Sequence, residues 1–218
     1  MTDSALRRVT AAALVVAPAL LLVDNLLHPK EFTRGNEAQQ LAEIAEHYER
    51  WQAAHALGFV ALVIFAAATA GLAVLVARRS FRAGLTGGAL GIAGLIALGS
   101  VIAIDGYTWG ILGEISARPD VDRRTVELTL REVQESDWSL IYYTTPVAFI
   151  VGLIVLAVGA AREHLAPVWA AAILILGVLM TGTETAIVSN AYFIAGAAVL
   201  LAGGAAVAWG LVRSAPAA

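Results

Sequence analysis

The stretch WQAAHALGFVALVIFAAATAGLAVLVARR, residues 51–79, decides the fold, because an unbroken apolar run lies between a tryptophan and a pair of arginines. The run 53–77 has no Asp, Glu, Lys or Arg. It exceeds the roughly 20 apolar residues that cross a bilayer as one helix. Tryptophan favours the membrane–water interface, and arginine is enriched at cytoplasmic ends. The stretch predicts a transmembrane helix with Trp51 outside and Arg78 inside.

The rest of the chain has the same character. Its 218 residues are 59% hydrophobic and 14% charged, against about 25% charged in soluble domains. Six apolar runs predict an all-α, polytopic bundle of six transmembrane helices in the lipid bilayer. They lie near 9–27, 53–77, 84–112, 139–160, 166–186 and 191–212.

Composition also excludes several classes of function. A net charge of −3 gives no basis for nucleic-acid binding, so we expect no such partner. The chain has no cysteine, which excludes disulfides, thiolate nucleophiles and Cys-ligated metals. Abundant Ala, Gly and Val, with a single lysine at Lys30, indicate a GC-rich bacterial genome.

The arginines give an orientation. They flank the runs on one side, at Arg7, Arg8, Arg78, Arg79, Arg82, Arg162 and Arg213. The longer loops 28–52 and 113–138 are net acidic. The positive-inside rule therefore places both termini in the cytoplasm, for a multi-pass protein of the bacterial cell membrane. In the first run, Ala17-Pro18-Ala19 lies inside the apolar segment, which predicts an uncleaved span.

Two external segments and a repeat complete the predicted layout. Segments 36–51 and 120–138 have apolar residues at helical spacing, and Asp120 or Asp122 is available as a cap for the second. Trp51 and Trp138 each open a span. The pattern predicts three hairpins, 9–79, 84–162 and 166–213, of which the third lacks an external helix.

Each hairpin has one acid toward the outer end of its first helix: Asp24, Asp105 and Glu184. If these first helices adjoin, the three carboxylates face one outward-facing polar pocket. His55, Tyr107, Tyr142 and Tyr143 would complete that ligand-binding site. The alternative is three separate acids at the interface. A charge costs roughly 2.5–3.5 kcal/mol at the bilayer centre and much less near a helix end.

Metal and kink hypotheses are weaker. Asp24, His28 and His55 form a candidate two-histidine, one-carboxylate site for a divalent metal. The sequence has no zinc-protease motif, and no cofactor is predicted. Haem between two histidines is less favoured still, and His164 is expected in a solvated loop. Thr144-Thr145-Pro146 is a candidate helix break, as in transporter binding sites.

Small residues mark two helix faces. The third run contains Gly84, Gly87, Gly88, Gly91 and Gly94, and the sixth contains Ala198, Ala202, Ala206 and Gly210. Small residues four apart let helices approach closely. These faces predict tight packing within the fold or in a homo-oligomer.

The segment AEIAEHYERWQAAHALGFVALVIFAAATAGL, residues 42–72, resembles a pattern in actinobacterial multi-pass membrane proteins of unknown function. Trp51, Ala54 and His55, followed by an apolar span that ends in glycine, carry the resemblance. It implies a similar membrane fold and no activity.

Three functions fit these observations. The first is binding, and transport, of a small molecule or ion through an outward-facing polar cavity. The second is an intramembrane enzyme on a lipid or isoprenoid substrate, with a carboxylic acid as the general acid. The third is an accessory or assembly subunit of a membrane complex.

Overall fold

The computed structural model describes residues 2–29, 36–135, 139–183 and 189–213, with the backbone alone at 134 and 139–143. These residues form eight helices and no strand, which confirms the all-α class for the described part. The helices are α1 (Asp3–Leu27), α2 (Glu37–Glu46), α3 (Tyr48–Ala77), α4 (Phe81–Ser116), α5 (Arg123–Glu135), α6 (Ser139–Arg162), α7 (Val168–Gly182) and α8 (Asn190–Arg213).

Five helices are long and apolar enough to cross a membrane: α1, α3, α4, α6 and α8. The remaining apolar helix, α7, has 15 residues. At about 1.5 Å per residue it is roughly 22 Å long, shorter than a hydrocarbon core of about 30 Å. The predicted fifth span, 166–186, thus appears as this shorter helix, and residues 184–186 lie outside the described part.

The six apolar helices form a closed ring. Helix α3 packs between α1 and α4, α6 follows α4, α7 joins α6 to α8, and α8 returns to α1. One end of the ring holds the start of α1, the α3–α4 and α6–α7 turns and the end of α8. We call it the basic end, because it carries Arg7, Arg8, Arg78, Arg79, Arg82, Arg162 and Arg213.

The opposite end is covered by α2 and α5, and we call it the capped end. Helix α4 has 36 residues, which makes it about 54 Å long. Its last turns therefore extend past the apolar ring, and a Cβ on Gly113 would lie 2.5 Å from Ile44 of α2. Buried Leu41, Val126 and Leu130 form a small separate core between α2 and α5.

The two predicted external helices are present with shifted bounds. The first ends at Glu46, because His47 leaves the helical conformation, and α3 begins at Tyr48, before the expected residue 53. The second begins after Asp122, one of the two predicted caps. Its carboxylate accepts hydrogen bonds from Arg124 N at 3.1 Å and from Thr125 Oγ1 at 2.7 Å.

An ion pair joins α2 to α5 and predicts a pH response. Arg131 donates to Glu37 at 2.9 Å, and this bond lowers the pKa of the Glu37 carboxyl. Because the pKa of Glu37 is lower in the folded protein than in the unfolded chain, the ion pair stabilises the packing of α5 on α2 at any pH above the unfolded pKa. That stabilisation is lost as the pH falls through the folded pKa. We expect amide exchange in α5 to accelerate about two- to five-fold under acid.

Hydrogen exchange with mass spectrometry checks this expectation. Glu37→Gln should show the faster α5 exchange already at pH 7 and a smaller acid response than wild type, the remainder coming from the Asp122 cap, whose hydrogen bonds also lower its pKa. An acid response as large as that of wild type would assign the effect to another group. Glu132→Gln is the control, because Glu132 is exposed on the same helix.

The glycines of α4 allow close packing on other helices of the same chain. All five predicted glycines, Gly84, Gly87, Gly88, Gly91 and Gly94, are buried. A Cβ on Gly152 of α6 would lie 2.5 Å from the Gly91 Cα and 2.8 Å from the Gly87 carbonyl oxygen. This face therefore packs α4 on α3 and α6. On α8, Ala198 and Ala202 are exposed, and a homo-oligomer stays a prediction.

The predicted break in α6 is absent. Helix α6 continues through Pro146 as one element from Ser139 to Arg162. Pro146 is buried, and three residues later Phe149 packs edge-to-face on Phe65 of α3, with ring centroids 6.1 Å apart. A proline removes one backbone hydrogen bond, and α6 continues as one element despite that loss.

Candidate functional site

Asp24 lies in the contact between α1 and α3, near the capped end. Its relative exposure is 8%. The carboxylate sits against Gly58, where a Cβ would stand 2.8 Å from Asp24 Oδ2. Only glycine leaves room for the acid at this distance. Within the described residues, the Asp24 side chain has no hydrogen-bond or ion-pair partner.

Two histidines and a tryptophan lie outward of Asp24, at the same contact between α1 and α3. His28 follows Asp24 by one helical turn, and His55 precedes Gly58 by three residues. The ring centroids of His28 and His55 are 5.2 Å apart, and those of Trp51 and His55 are 4.1 Å apart. We call Asp24, His28, Trp51 and His55 the outer cluster.

Hydrogen bonds set the orientation of both imidazoles. His55 Nδ1 lies 2.9 Å from the Trp51 carbonyl oxygen, and His28 Nδ1 lies 3.0 Å from that of Pro29. A carbonyl oxygen only accepts, so both Nδ1 atoms donate, and a neutral ring then presents Nε2 as an acceptor. Burial lowers the pKa of His28, which follows the last residue of α1, and so favours the neutral ring there.

Trp51 anchors the cluster to α4. Its indole Nε1 donates to the Gly106 carbonyl oxygen at 3.1 Å, and Gln52 Nε2 donates to the same oxygen at 3.0 Å. The Trp51 ring also stacks on Trp109, with an interplanar angle of 12°. The outer cluster is thus held by three helices, two of which supply its side chains.

Arg50 closes the outer end of α1. Its guanidinium donates to the Leu27 carbonyl oxygen, and to that of Leu26 at 3.2 Å. Cations favour a helix C-terminus because the last carbonyls have no partner within the helix. The hydrogen bonds that the structure gives Arg50 thus go to α1 carbonyls rather than to the Asp24 carboxylate.

The structure does not bring Asp24 and Asp105 together. Helix α4, with Asp105, and helix α1, with Asp24, share no contact in the described residues, because α3 lies between them. Each hairpin packs beside the next around the ring, so the first helices do not adjoin. Asp105 is half-buried, and Glu184 lies outside the described part.

Of the tyrosines of the predicted site, the structure describes the side chain of Tyr107, which is not in the outer cluster. Tyr107 is 69% exposed, on the outer surface of α4. The side chains of Tyr142 and Tyr143 lie outside the described residues. Of the predicted ligand-binding residues, the structure places Asp24 and His55 at the contact between α1 and α3, and ligand binding by any of them stays a prediction.

The predicted metal site is not formed by the side chains that the structure describes. No group of three or more His, Asp or Glu residues is arranged to hold an ion there. His28 and His55 turn their Nδ1 atoms to backbone carbonyls, and both rings pack on Trp51. The Asp24, His28, His55 metal hypothesis stays a prediction, and the described geometry gives it no support.

Sequence reasoning missed Gly58 and Arg50. A usable signal was present for the first, since the run 53–77 contains two glycines, at 58 and 71. Both face polar side chains of α1, because a Cβ on Gly71 would collide with Thr10. No sequence pattern singles out Arg50, because its partners are backbone carbonyls on another helix.

Comparison with known proteins adds no further constraint. No protein-family model, curated protein or solved structure matches this chain. The resemblance of residues 42–72 to actinobacterial membrane proteins stays a prediction.

Proposed function

We propose that this chain is a bacterial integral membrane protein with six spans, and that Asp24 binds a proton or small cation from the outer side. Five long apolar helices support the multi-pass location. The buried carboxylate of Asp24, without a partner in the described residues, is the observation that supports the site.

The physical reason is the energy of an unpaired charge. An ionised carboxylate taken out of water costs several kcal/mol unless it is paired and hydrogen-bonded. Asp24 is therefore neutralised either by a proton or by a cation. His55 and His28 lie outward of it at the same contact between α1 and α3, with ring centroids 5.2 Å apart.

The proposed orientation follows from charge. The basic end carries seven arginines at helix ends and turns, and arginine is enriched on the cytoplasmic side. The outer cluster is at the other end, so its ligand arrives from outside. In this proposal α7 is the sixth span.

Tryptophan fluorescence tests binding directly. Trp51 contacts both histidines of the outer cluster, so a bound cation changes its emission. We titrate purified protein with sodium, potassium and methylammonium at constant ionic strength. We expect a saturable change with one of these probes, and a loss of at least about ten-fold in affinity, 1.4 kcal/mol, for Asp24→Asn. Trp51→Phe should remove the signal and identify its source.

Asp105→Asn is the matched control, because it makes the same carboxylate-to-amide change on a helix that does not contact α1. For a proton as the ligand, infrared difference spectra between two pH values should show a carboxyl band that Asp24→Asn lacks. If Asp24→Asn and wild type respond alike in both measurements, the proposed site is wrong.

Transport is a separate step from binding. Flux of the bound probe into proteoliposomes, dependent on Asp24, would establish it. Binding without flux would establish a receptor or a structural ion site.

A further inference from the structure

A cleft at the basic end is distinct from the outer cluster. It has a volume of about 380 Å³, and it lies between the α6–α7 turn, residues 164–167, and the last turn of α8. Trp209, Gly210 and Arg213 line its α8 side. Gly210 brings α8 close to the turn, since a Cβ there would lie 2.9 Å from Ala166 Cα.

The cleft is rich in hydrogen-bond donors. Arg213 stacks over the Trp209 ring, with Cζ 4.2 Å from the ring centroid. Stacking occupies the guanidinium face and leaves its N–H groups at the edge available. His164 is exposed beside it, with φ 55°. In the described residues, neither Arg213 nor His164 has a side-chain hydrogen bond or ion pair.

The start of α7 contributes to the same electrostatic environment. Pro167 precedes the helix and provides no side-chain cap, so the first amides of α7 lack the capping partner that a Ser or Asp would supply. A helix N-terminus favours anions. The cleft lining contains no Asp or Glu. The nearest acid in sequence is Glu163, whose carbonyl oxygen accepts from Arg79.

Aromatic residues place the cleft at the membrane surface. Trp169 and Trp209 are 54% and 46% exposed, and their ring centroids are 6.3 Å apart. Exposed tryptophans at the ends of apolar helices mark the headgroup level of a bilayer. Basic pockets between transmembrane helices at this level suit anionic lipid headgroups.

We propose that this cleft binds the phosphate of an anionic phospholipid, with Arg213 and His164 as donors and Trp209 beside the glycerol and acyl chain. The inference rests on the membrane location proposed above, and it does not depend on the cation site at Asp24. If the lipid proposal fails, the cation site at Asp24 is unaffected, and if the cation site fails, the lipid proposal is unaffected.

Native mass spectrometry of the purified protein tests the proposal, with phosphatidylglycerol and phosphatidylcholine offered at equal concentration. We expect one phosphatidylglycerol to be retained in preference to phosphatidylcholine. Arg213→Gln should reduce that preference about five-fold, as expected for one cation near a membrane surface, and Arg213→Gln with His164→Gln should reduce it further.

Arg82→Gln is the matched control, because Arg82 is exposed at the same end and outside the cleft. It should leave the preference unchanged. An equal loss in Arg82→Gln, or no loss in Arg213→Gln, would overturn the proposal. Displacement of the lipid by millimolar inorganic phosphate would also overturn it, because the cleft would then be a site for soluble anions.

A second readout locates the lipid. Phosphatidylglycerol with brominated acyl chains should quench tryptophan emission more strongly than brominated phosphatidylcholine. Trp209→Phe together with Trp169→Phe should remove that difference, because the two rings are 6.3 Å apart and the same lipid reaches both. If the difference persists in this double variant, the lipid binds elsewhere.

Discussion

Gly152→Ala is expected to destabilise the protein by about 3 kcal/mol, the upper part of the range for overpacking a close helix contact. The added Cβ would overlap the backbone of α4, where the Gly91 Cα lies 2.5 Å away and the Gly87 carbonyl oxygen 2.8 Å away. Backbone atoms cannot rotate aside as a side chain can, so α4 and α6 must separate. Thermal unfolding in detergent, followed by circular dichroism, measures the effect.

Gly99→Ala is the control for that measurement. Gly99 lies on α4, the helix that Gly152 packs against, but a Cβ there would meet the Phe59 and Leu62 side chains at 3.7 to 3.9 Å, ordinary contact distance. Alanine also favours a helix over glycine by up to about 1 kcal/mol. We expect Gly99→Ala to be neutral or stabilising. Equal losses in the two variants would contradict the close contact between α4 and α6.

The same contact explains why the sequence predicted tight packing but not its partner. Glycines at 84, 87, 88, 91 and 94 show that some backbone approaches α4 closely. In a bilayer, the same pattern suits another helix of the chain or a second copy. Gly152 of α6 and the side chains of α3 fill the contact here, which depends on the order of helices around the ring.

Helix existence was predictable for a simple reason, and helix neighbours were not. An apolar run of sufficient length must satisfy its own backbone hydrogen bonds in lipid, so it predicts a helix whatever its tertiary partners. The order of packing depends on side-chain shape at each contact. No physical constraint of this kind requires the first helices of the three hairpins to adjoin. In the structure, α3 separates Asp24 from Asp105.

In the candidate site too, some residues could be predicted from the sequence, and others depend on how the helices pack. Asp24 stands out in sequence because apolar residues surround it at 20–23 and 26–27. His28 is found from its i+4 spacing. The proximity of His55 and Gly58 depends on the register of α3 against α1, which pattern alone does not give.

Asp24→Asn is expected to stabilise the protein in the absence of any bound cation, by about 2 kcal/mol. The amide has nearly the same shape as the carboxylate, so it fits in the space that Gly58 leaves. A Cβ at position 58 would lie 2.8 Å from Oδ2 of Asp24. Without a cation, the buried acid, which has no partner in the described residues, must keep a proton that the unfolded chain releases at neutral pH, and this difference favours unfolding. The amide has no such proton to release. Unfolding free energies in detergent, measured at neutral pH without the cation probes, check the sign.

A structural role for Asp24 predicts the opposite sign, since removing a group that holds a fold together destabilises it.

The double variant Asp24→Ala with Gly58→Ala separates shape from charge. Gly58→Ala alone should destabilise, because its Cβ meets Asp24 Oδ2, Cγ and Oδ1 at 2.8, 3.2 and 3.6 Å. Asp24→Ala should relieve most of that loss, because contacting residues couple by about 0.5–3 kcal/mol. Additive losses would show that α1 and α3 do not meet at these residues, and a stability loss in Asp24→Asn would show that the carboxylate serves the fold rather than a ligand.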